Sequence, residues 1–204
     1  MTQEYWDKKF KEKDFYGTGP TSFAVECAQF LKNNKKRLKI LDLGCGQGRD
    51  SIYFYERGFD VTAIDFSGAA LTTLENKKIQ VIQQDIRDLS IFEDNVFEVV
   101  CSNLVLHFFS DREMQTIIDE MYRILKPSGI FMFTVKNQHD KWYGKDKNVG
   151  EDAFLSNGIT RYYRTKAAMR SFLNRFILIQ FEEGTHRMFN DKLSAYWKIV
   201  ARKI

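Results

Sequence analysis

Leu38-Lys39-Ile40-Leu41-Asp42-Leu43 runs without a break into Gly44-Cys45-Gly46-Gln47-Gly48-Arg49. The first six residues read as a short apolar strand. The glycines after it let backbone come close to a ligand, and the helix predicted next, through about Glu56 with Gly58 closing it, aims its free N–H groups at the same place. Outward from this turn, Phe59 to Ile64 reads as a second strand ending on Asp65, and Ser67 as the N-cap of a helix over 68–76. Ile79 to Gln83 is a third strand ending near Asp85, and Val96 to Cys101 a fourth. Met114, Ile117, Ile118, Met121, Tyr122 and Leu125 recur at helical spacing, so an amphipathic helix is expected there. Lys126-Pro127-Ser128-Gly129 stops it before a fifth strand, Ile130 to Val135. Strands alternating with helices predict an α/β fold whose sheet is mostly parallel and doubly wound. Upstream, helices are expected over 3–13 and 21–32, with Thr21 or Ser22 as N-cap after Pro20. Downstream come a polar stretch, 136–160, a helix near 165–174, and strands Phe176–Glu182 and Ser194–Ala201, spaced for an antiparallel hairpin on one edge.

A chain of 204 residues suits one domain. It divides into a helical cap (1–35), a core (38–135) and a lid-like loop with helix and hairpin (136–204). Hydrophobic residues at 44% and charged residues at 28% are the balance of a soluble globular protein. No apolar run approaches the roughly 18–20 residues of a membrane span, and Met1 to Phe10 lacks a secretory apolar stretch. The expectation is a cytoplasmic protein with no membrane role. The net charge of +4, from 31 basic and 27 acidic residues, is too modest for a dedicated nucleic-acid binder. Its densest basic run, Lys32 to Lys39, reads as a solvated connector or as a local basic patch. Cys27, Cys45 and Cys101 form no C-x-x-C pair, so neither a disulfide framework nor a cysteine zinc site is expected, and no metal is.

In a doubly wound sheet the ligand crevice lies at the carboxyl ends of the strands, where their order reverses. Asp42, Asp65, Asp85 and Asn103 all fall at or just past predicted strand ends, so the fold gathers them on one rim. Asp65 follows Gly44 by 21 residues, a position suited to accept from a ribose diol. Asp42, two residues before the first glycine, would repel a pyrophosphate and favour an ammonium or sulfonium cation. The spacing of Gly44, Gly46 and Gly48 departs from G-x-G-x-x-G, because Arg49 stands at the last glycine position.

These segments resemble the class I S-adenosylmethionine-dependent methyltransferases. Ile40 to Gly48 looks like their first motif, Val61-Thr62-Ala63-Ile64-Asp65 like their second-strand acid, and Gln84-Asp85-Ile86 like their adenine contact. Val99-Val100-Cys101-Ser102-Asn103 and Leu125-Lys126-Pro127-Ser128-Gly129 are similar to their later strand and turn. The resemblance implies a Rossmann-like seven-stranded sheet with a reversed last strand, S-adenosylmethionine as methyl donor and S-adenosylhomocysteine as product. It places Asp42, Gly44 and Gly46 around the methionine part, Asp65 on the ribose, Asp85 and Ile86 at the adenine, and Asn103 below the sulfur; Cys45, Arg49 and Phe66 complete the expected cofactor set. Gly46-Gln47-Gly48-Arg49-Asp50-Ser51 with Tyr53, Gly58-Phe59-Asp60-Val61, and Gly184-Thr185-His186-Arg187 are most similar to the small tellurite-resistance and thiopurine-type branch, with Asp50 where an Asn is commoner. That likeness implies a substrate-side role for His186 and Arg187.

Methyl transfer from a sulfonium needs alignment, exclusion of water and removal of any acceptor proton. The bases available near neutral pH are His107, His139 and His186. His107, four residues past Asn103, is either a pocket group or a packed histidine between Leu106 and Phe108. His186 and Arg187 either bind an anionic acceptor or lie on an exposed hairpin turn, while His139 reads as surface. The expected catalytic set is therefore His107, His186 and Arg187. Arg161-Tyr162-Tyr163-Arg164 is either a substrate wall or packing at a helix start. Trp142 and Tyr143 could close over the crevice. Tyr5, Trp6, Phe15 and Tyr16 either cover the cofactor or anchor the first helix. Tyr122 and Lys126 have the Tyr-x-x-x-Lys spacing of short-chain dehydrogenases but read as core plus a charge at a helix end. After Ser102-Asn103 stands Leu104-Val105 in place of the Pro-Pro-aromatic of amino-directed methylases, which points to a small-molecule acceptor: a thiol, a chalcogen oxyanion, a carboxylate or a phenol. The competing readings are an inert nucleotide-fold binding module and an NAD(P)-dependent oxidoreductase.

Overall fold

Strand β1 (Lys39–Leu43) is buried on both faces after its exposed first residue, with Ile40, Leu41 and Leu43 fully inaccessible, which is why it reads as a mainly apolar strand. In the computed structural model it lies between β2 (Asp60–Asp65) and β4 (Phe97–Asn103), parallel to both. With β3 (Gln80–Gln83), β5 (Leu125–Lys136), β9 (Phe176–Arg187) and β10 (Leu193–Lys203) they make a seven-stranded sheet of order β3-β2-β1-β4-β5-β10-β9. β10 runs antiparallel to both β5 and β9, so the expected closing hairpin is present, with longer strands than expected. The structure describes residues 2–11, 17, 19–33, 36–75, 77–187 and 193–204, with His186, Arg187 and Leu193 described by backbone alone. Phe15 and Tyr16 lie outside the described residues, as does part of the basic run.

The chain moves outward from β1 to β2 and β3, then returns to β1's other side for β4, so the order reverses between β1 and β4. Helices cover both faces. On one, α5 (Asp111–Ile124) buries Met114, Ile117, Ile118 and Met121 against Phe131 and Phe133. Its start is fixed by a capping box in which Ser110 and Glu113 satisfy each other's backbone N–H. On the other, α2 (Ser22–Leu31) and α3 (Arg49–Glu56) pack Phe23, Cys27, Tyr53 and Phe54 over Ile40 and Val99. α1 (Gln3–Lys11) joins a smaller apolar group through Trp6 and Phe10.

Three expectations need correction. The helix over 68–76 is a single turn, α4 (Gly68–Leu71), followed by a 3-10 turn, Thr72–Leu74. Lys126 to Gly129 does not separate α5 from β5; those four residues stand opposite the single Glu98 as an irregularity inside β5, with Ser128 at φ 64°. The 136–160 stretch is not simply a lid-like loop. It carries β6 (Lys147–Gly150), β7 (Ala153–Ser156) and β8 (Ile159–Tyr162), a separate antiparallel sheet of order β6-β7-β8. Ala153, Phe154 and Ile159 are buried in it, and Tyr143 packs edge-on against Phe154 and Tyr163 while its hydroxyl donates to Asp152 at 2.6 Å. Tyr143 is thus committed to the small sheet. Buried Asp140 ties the segment to the main sheet, accepting from Lys136 Nζ at 2.6 Å, Ser194 Oγ at 2.7 Å and Ala195 N–H at 3.1 Å. After β8, α6 (Lys166–Phe172) starts on Thr165 as N-cap. Tyr122 and Lys126 do not converge: Tyr122 donates to the Ile204 carbonyl and Lys126 pairs with Glu98. No helix among the described residues is long and apolar enough to cross a membrane.

Candidate active site

The turn leaving β1 is held in the left-handed region at Gly44 (φ 73°), Gly46 (φ 54°) and Gly48 (φ 75°). The Gly44 and Cys45 N–H groups both donate to the Ile64 carbonyl, at 2.8 and 3.0 Å, which locks the turn onto the end of β2. A Cβ at Gly44 would meet Val105 at 2.6 Å, and one at Gly48 would meet Leu74 at 2.5 Å. Gly48→Ala is therefore expected to cost about 1–3 kcal/mol of stability, from left-handed strain and a displaced Leu74. Chemical denaturation checks this, and an unchanged midpoint would contradict it. α1 lies over the same turn: Phe10 sits 3.3 Å from where a Gly46 Cβ would be, and Asp7 accepts from Ser67 Oγ at 2.6 Å.

Three carboxyl groups are buried around this turn: Asp42, Asp50 and Asp65. Asp42 accepts from Ser51 Oγ; burial first, then the nearby Asp50, pushes its pKa up to about 7 against the pull of that hydroxyl. Asp65 accepts from the Gly46 N–H at 2.9 Å and the Ser67 N–H at 3.0 Å, clamping the glycine turn to the N-cap of α4; burial raises its pKa. Asp50 accepts from the Thr21 N–H (2.8 Å), the Thr21 hydroxyl (2.7 Å) and Asn103 Nδ2 (3.4 Å). Asn103 Oδ1 in turn accepts from Thr134 Oγ1 at 2.6 Å. Among the described residues no basic side chain forms an ion pair with any of these three acids. Cys45 directs its thiol to the Gly46 carbonyl at 3.5 Å.

Further along the rim, an open pocket of about 380 Å³ is lined by Gln3, Phe66, Gln83, Gln84, Asp85 and Arg87. Asp85 is held by Arg87 Nε and NH2, at 3.0 and 2.6 Å, and this pairing outweighs partial burial to lower its pKa. Phe66 and Asp85 thus share one pocket, whereas the Ile86 side chain packs in the core. The structure brings together Asp42, Asp65 and the glycines, links Asn103 to them through Asp50, and sets Asp85 with Phe66. Asp50, Ser51 and Phe10 were not read as site residues; a helix-start Asp-Ser just past a glycine turn was the available signal.

His107 lies on a 3-10 turn, Leu106–Phe108, and is 2% exposed, with no hydrogen-bond partner for Nδ1. Burial, then the charges of Lys136, Arg161 and Arg164, holds its pKa well below 6.5, so it is neutral at physiological pH. His139 is exposed and pairs with Glu183 at 2.6 Å, as a surface residue would. His186 and Arg187 lie at the far end of β9, in register with Ser194 and Leu193; their side chains are outside what the structure describes. Arg164 donates to the Phe109 carbonyl at 2.8 Å and pairs with Asp111 at 2.9 Å, a structural anchor just before α6. Among the described residues no cluster of three or more His, Cys, Asp or Glu side chains could hold a metal ion.

Residues 41–133 match the family described as a methyltransferase domain. The chain is 36% identical over 104 residues to a protein named as a methyltransferase, YqeM of Bacillus subtilis, covering 48% of this chain and 42% of that one. It is 30% identical over 125 residues to a protein of Haemophilus influenzae named as an S-adenosyl-L-methionine-dependent methyltransferase, TehB, covering 58% of this chain and 40% of that one. The chain thus spans about half the length of the curated relatives it matches. Among solved structures, one of SAM-dependent methyltransferases from Methanosarcina mazei superimposes with a TM-score of 0.75 at 22% identity, over 86% of this chain and 97% of that one. Motif order and strand order agree with these likenesses: residues 41–133 match a methyltransferase domain, set in a fold shared with solved methyltransferases.

Proposed function

We propose that this protein transfers the methyl group of S-adenosylmethionine to a small-molecule acceptor. The observation that carries the reading is a set of buried carboxyl groups around a glycine-rich turn, none of them ion-paired to a basic side chain among the described residues. A ligand bearing sulfonium and ammonium charges supplies what the acids lack; a pyrophosphate would face them unfavourably.

In this reading Asp42 and the Gly44–Gly48 turn hold the methionine end and Asp65 accepts from the ribose hydroxyls. Phe66 and Asp85 receive the adenine in the pocket they line, with Ile86 beneath. Cys45 and Arg49 flank the turn, and Asn103 fixes the end of β4 near the sulfur. When bound, S-adenosylmethionine supplies an already activated methyl group. The chain's task is then to align the acceptor, exclude water and fix charges around the reacting atoms. His107, neutral and buried on the turn after β4, positions the acceptor. His186 and Arg187 are proposed on the substrate side from the sequence resemblance alone. The acceptor classes that fit best are thiols and chalcogen oxyanions, whose reacting atoms need little or no help losing a proton.

Calorimetry with S-adenosylmethionine beside NAD tests the reading. Micromolar-range binding of the first and none of the second is expected; uptake of NAD in its place would overturn it. A screen with radiolabelled methyl donor over thiols, oxyanions and phenols separates an enzyme from an inert binding module, which would bind the donor and turn over nothing.

A further inference from the structure

Trp6 Nε1, His107 Nδ1 and the Tyr163 hydroxyl are buried, and none has a hydrogen-bond partner. Buried polar groups are nearly always satisfied, so orphans gathered in one place mark a ligand's contacts. These three come from α1, from the turn after β4 and from the residue that follows β8. Phe108 stands between those elements: Trp6 meets its ring edge-on at 5.2 Å, His107 lies 4.1 Å from it, and the Arg161 guanidinium stands 5.9 Å above it. Two neighbouring cations already have counter-charges, Lys136 in Asp140 and Arg164, through NH2, in Asp111; the Arg164 Nε is buried and, like the three groups above, without a hydrogen-bond partner. The Arg161 side chain is different: among the described residues its guanidinium makes no hydrogen bond and no ion pair, only its approach to Phe108. Tyr163, fully buried, feels the charge of Arg161.

We propose that the Phe108 ring is the floor of the acceptor site and that the acceptor is an organic anion, its negative group held by Arg161 and the Tyr163 hydroxyl. This rests on the proposed methyl transfer and adds the acceptor's chemical class and the residues that select it. Arg161 and Tyr163 both donate, which suits an oxyanion, carboxylate or thiolate, and Phe108 with Trp6 offers flat apolar contact to its body. His107 meets the acceptor with its orphaned Nδ1. The anion's lone pair forms the bond to the methyl carbon as the carbon–sulfur bond breaks, and that bond's electron pair stays on sulfur. No proton moves when the attacking atom is itself the anion, in keeping with a neutral His107. Opposite charges cancel in this step, which exclusion of water favours.

The test titrates 4-fluorobenzoate and 4-fluorobenzamide, followed by fluorine NMR, into protein alone and into protein saturated with S-adenosylhomocysteine. Running both arms keeps the anion test standing if the cofactor reading fails. The benzoate is expected to bind at least tenfold more tightly than the isosteric amide. Arg161→Gln should abolish that preference and Arg161→Lys restore part of it, with affinity for S-adenosylhomocysteine unchanged in both. A benzoate that binds no better than the benzamide, or a preference that survives Arg161→Gln, overturns the proposal.

Discussion

Asp65→Ala is expected to bind S-adenosylmethionine roughly ten- to a hundredfold more weakly and to lose about 2–6 kcal/mol of folding stability. The two effects have separate origins. In the protein alone, Asp65 accepts from the Gly46 and Ser67 N–H groups, one on the glycine turn and one at the start of α4. Removing the carboxylate leaves two buried donors without a partner, at about 1–3 kcal/mol each. The binding loss comes on top, from the two ribose hydroxyls that lose a charged acceptor, about 1.5–3 kcal/mol. Asp65→Asn keeps one acceptor oxygen and should fall between alanine and the parent in both measurements. Denaturant unfolding reads the first effect and calorimetry, at a temperature where the variant is folded, the second. An affinity equal to the parent's would remove Asp65 from the ribose, whatever the stability does.

The central sheet was legible because its signals are local. β1 is buried on both sides and carries Ile40, Leu41 and Leu43 around the single acid Asp42, and the stripe on α5 repeats with the helix period over about three turns. The strand-end acids were legible for the same reason: once strands are placed, their carboxyl ends share a rim. The second sheet was not read, since β6, β7 and β8 have four residues each and mostly part-exposed or exposed side chains. One signal for it was present. Asn157-Gly158, both at positive φ, forms the tight turn between β7 and β8, and Asn-Gly is a strong hairpin marker. What the acids do to one another was out of reach from sequence. Asp50 joins Thr21 across 29 residues and Asn103 across 53, contacts that exist only once α2, α3 and β4 have packed. Likewise Arg161 and Arg164 look equivalent in the sequence, and only the packing around β8 leaves one paired with Asp111 and the other without a counter-charge among the described residues.

Affinity for S-adenosylmethionine is expected to rise with pH up to about 7, by nearly tenfold per unit, and then to level off. Asp42 is the cause. In the protein alone its pKa is pushed from 3.8 to about 7, so between those values the folded chain holds a proton that the unfolded chain has released. Stability without ligand therefore falls as pH rises through that window. A cation seated beside Asp42 reverses the balance, because the ionised carboxylate is now the favoured form. Binding below pH 7 must then expel the proton, and each unit further down makes that expulsion harder. Calorimetry in two buffers of different ionisation enthalpy counts the protons released, close to one at pH 6 and near none at pH 8.5. Asp42→Asn should remove the pH dependence and hold affinity near the parent's low-pH level. S-adenosylhomocysteine then identifies which charge Asp42 faces, since it keeps the ammonium and lacks the sulfonium. The same proton release with both ligands puts Asp42 on the amino group, and release with the methylated form alone puts it on the sulfur. An affinity flat from pH 5.5 to 8.5 would mean that no cation lies against this carboxyl, and the cofactor would have to be seated elsewhere on the rim.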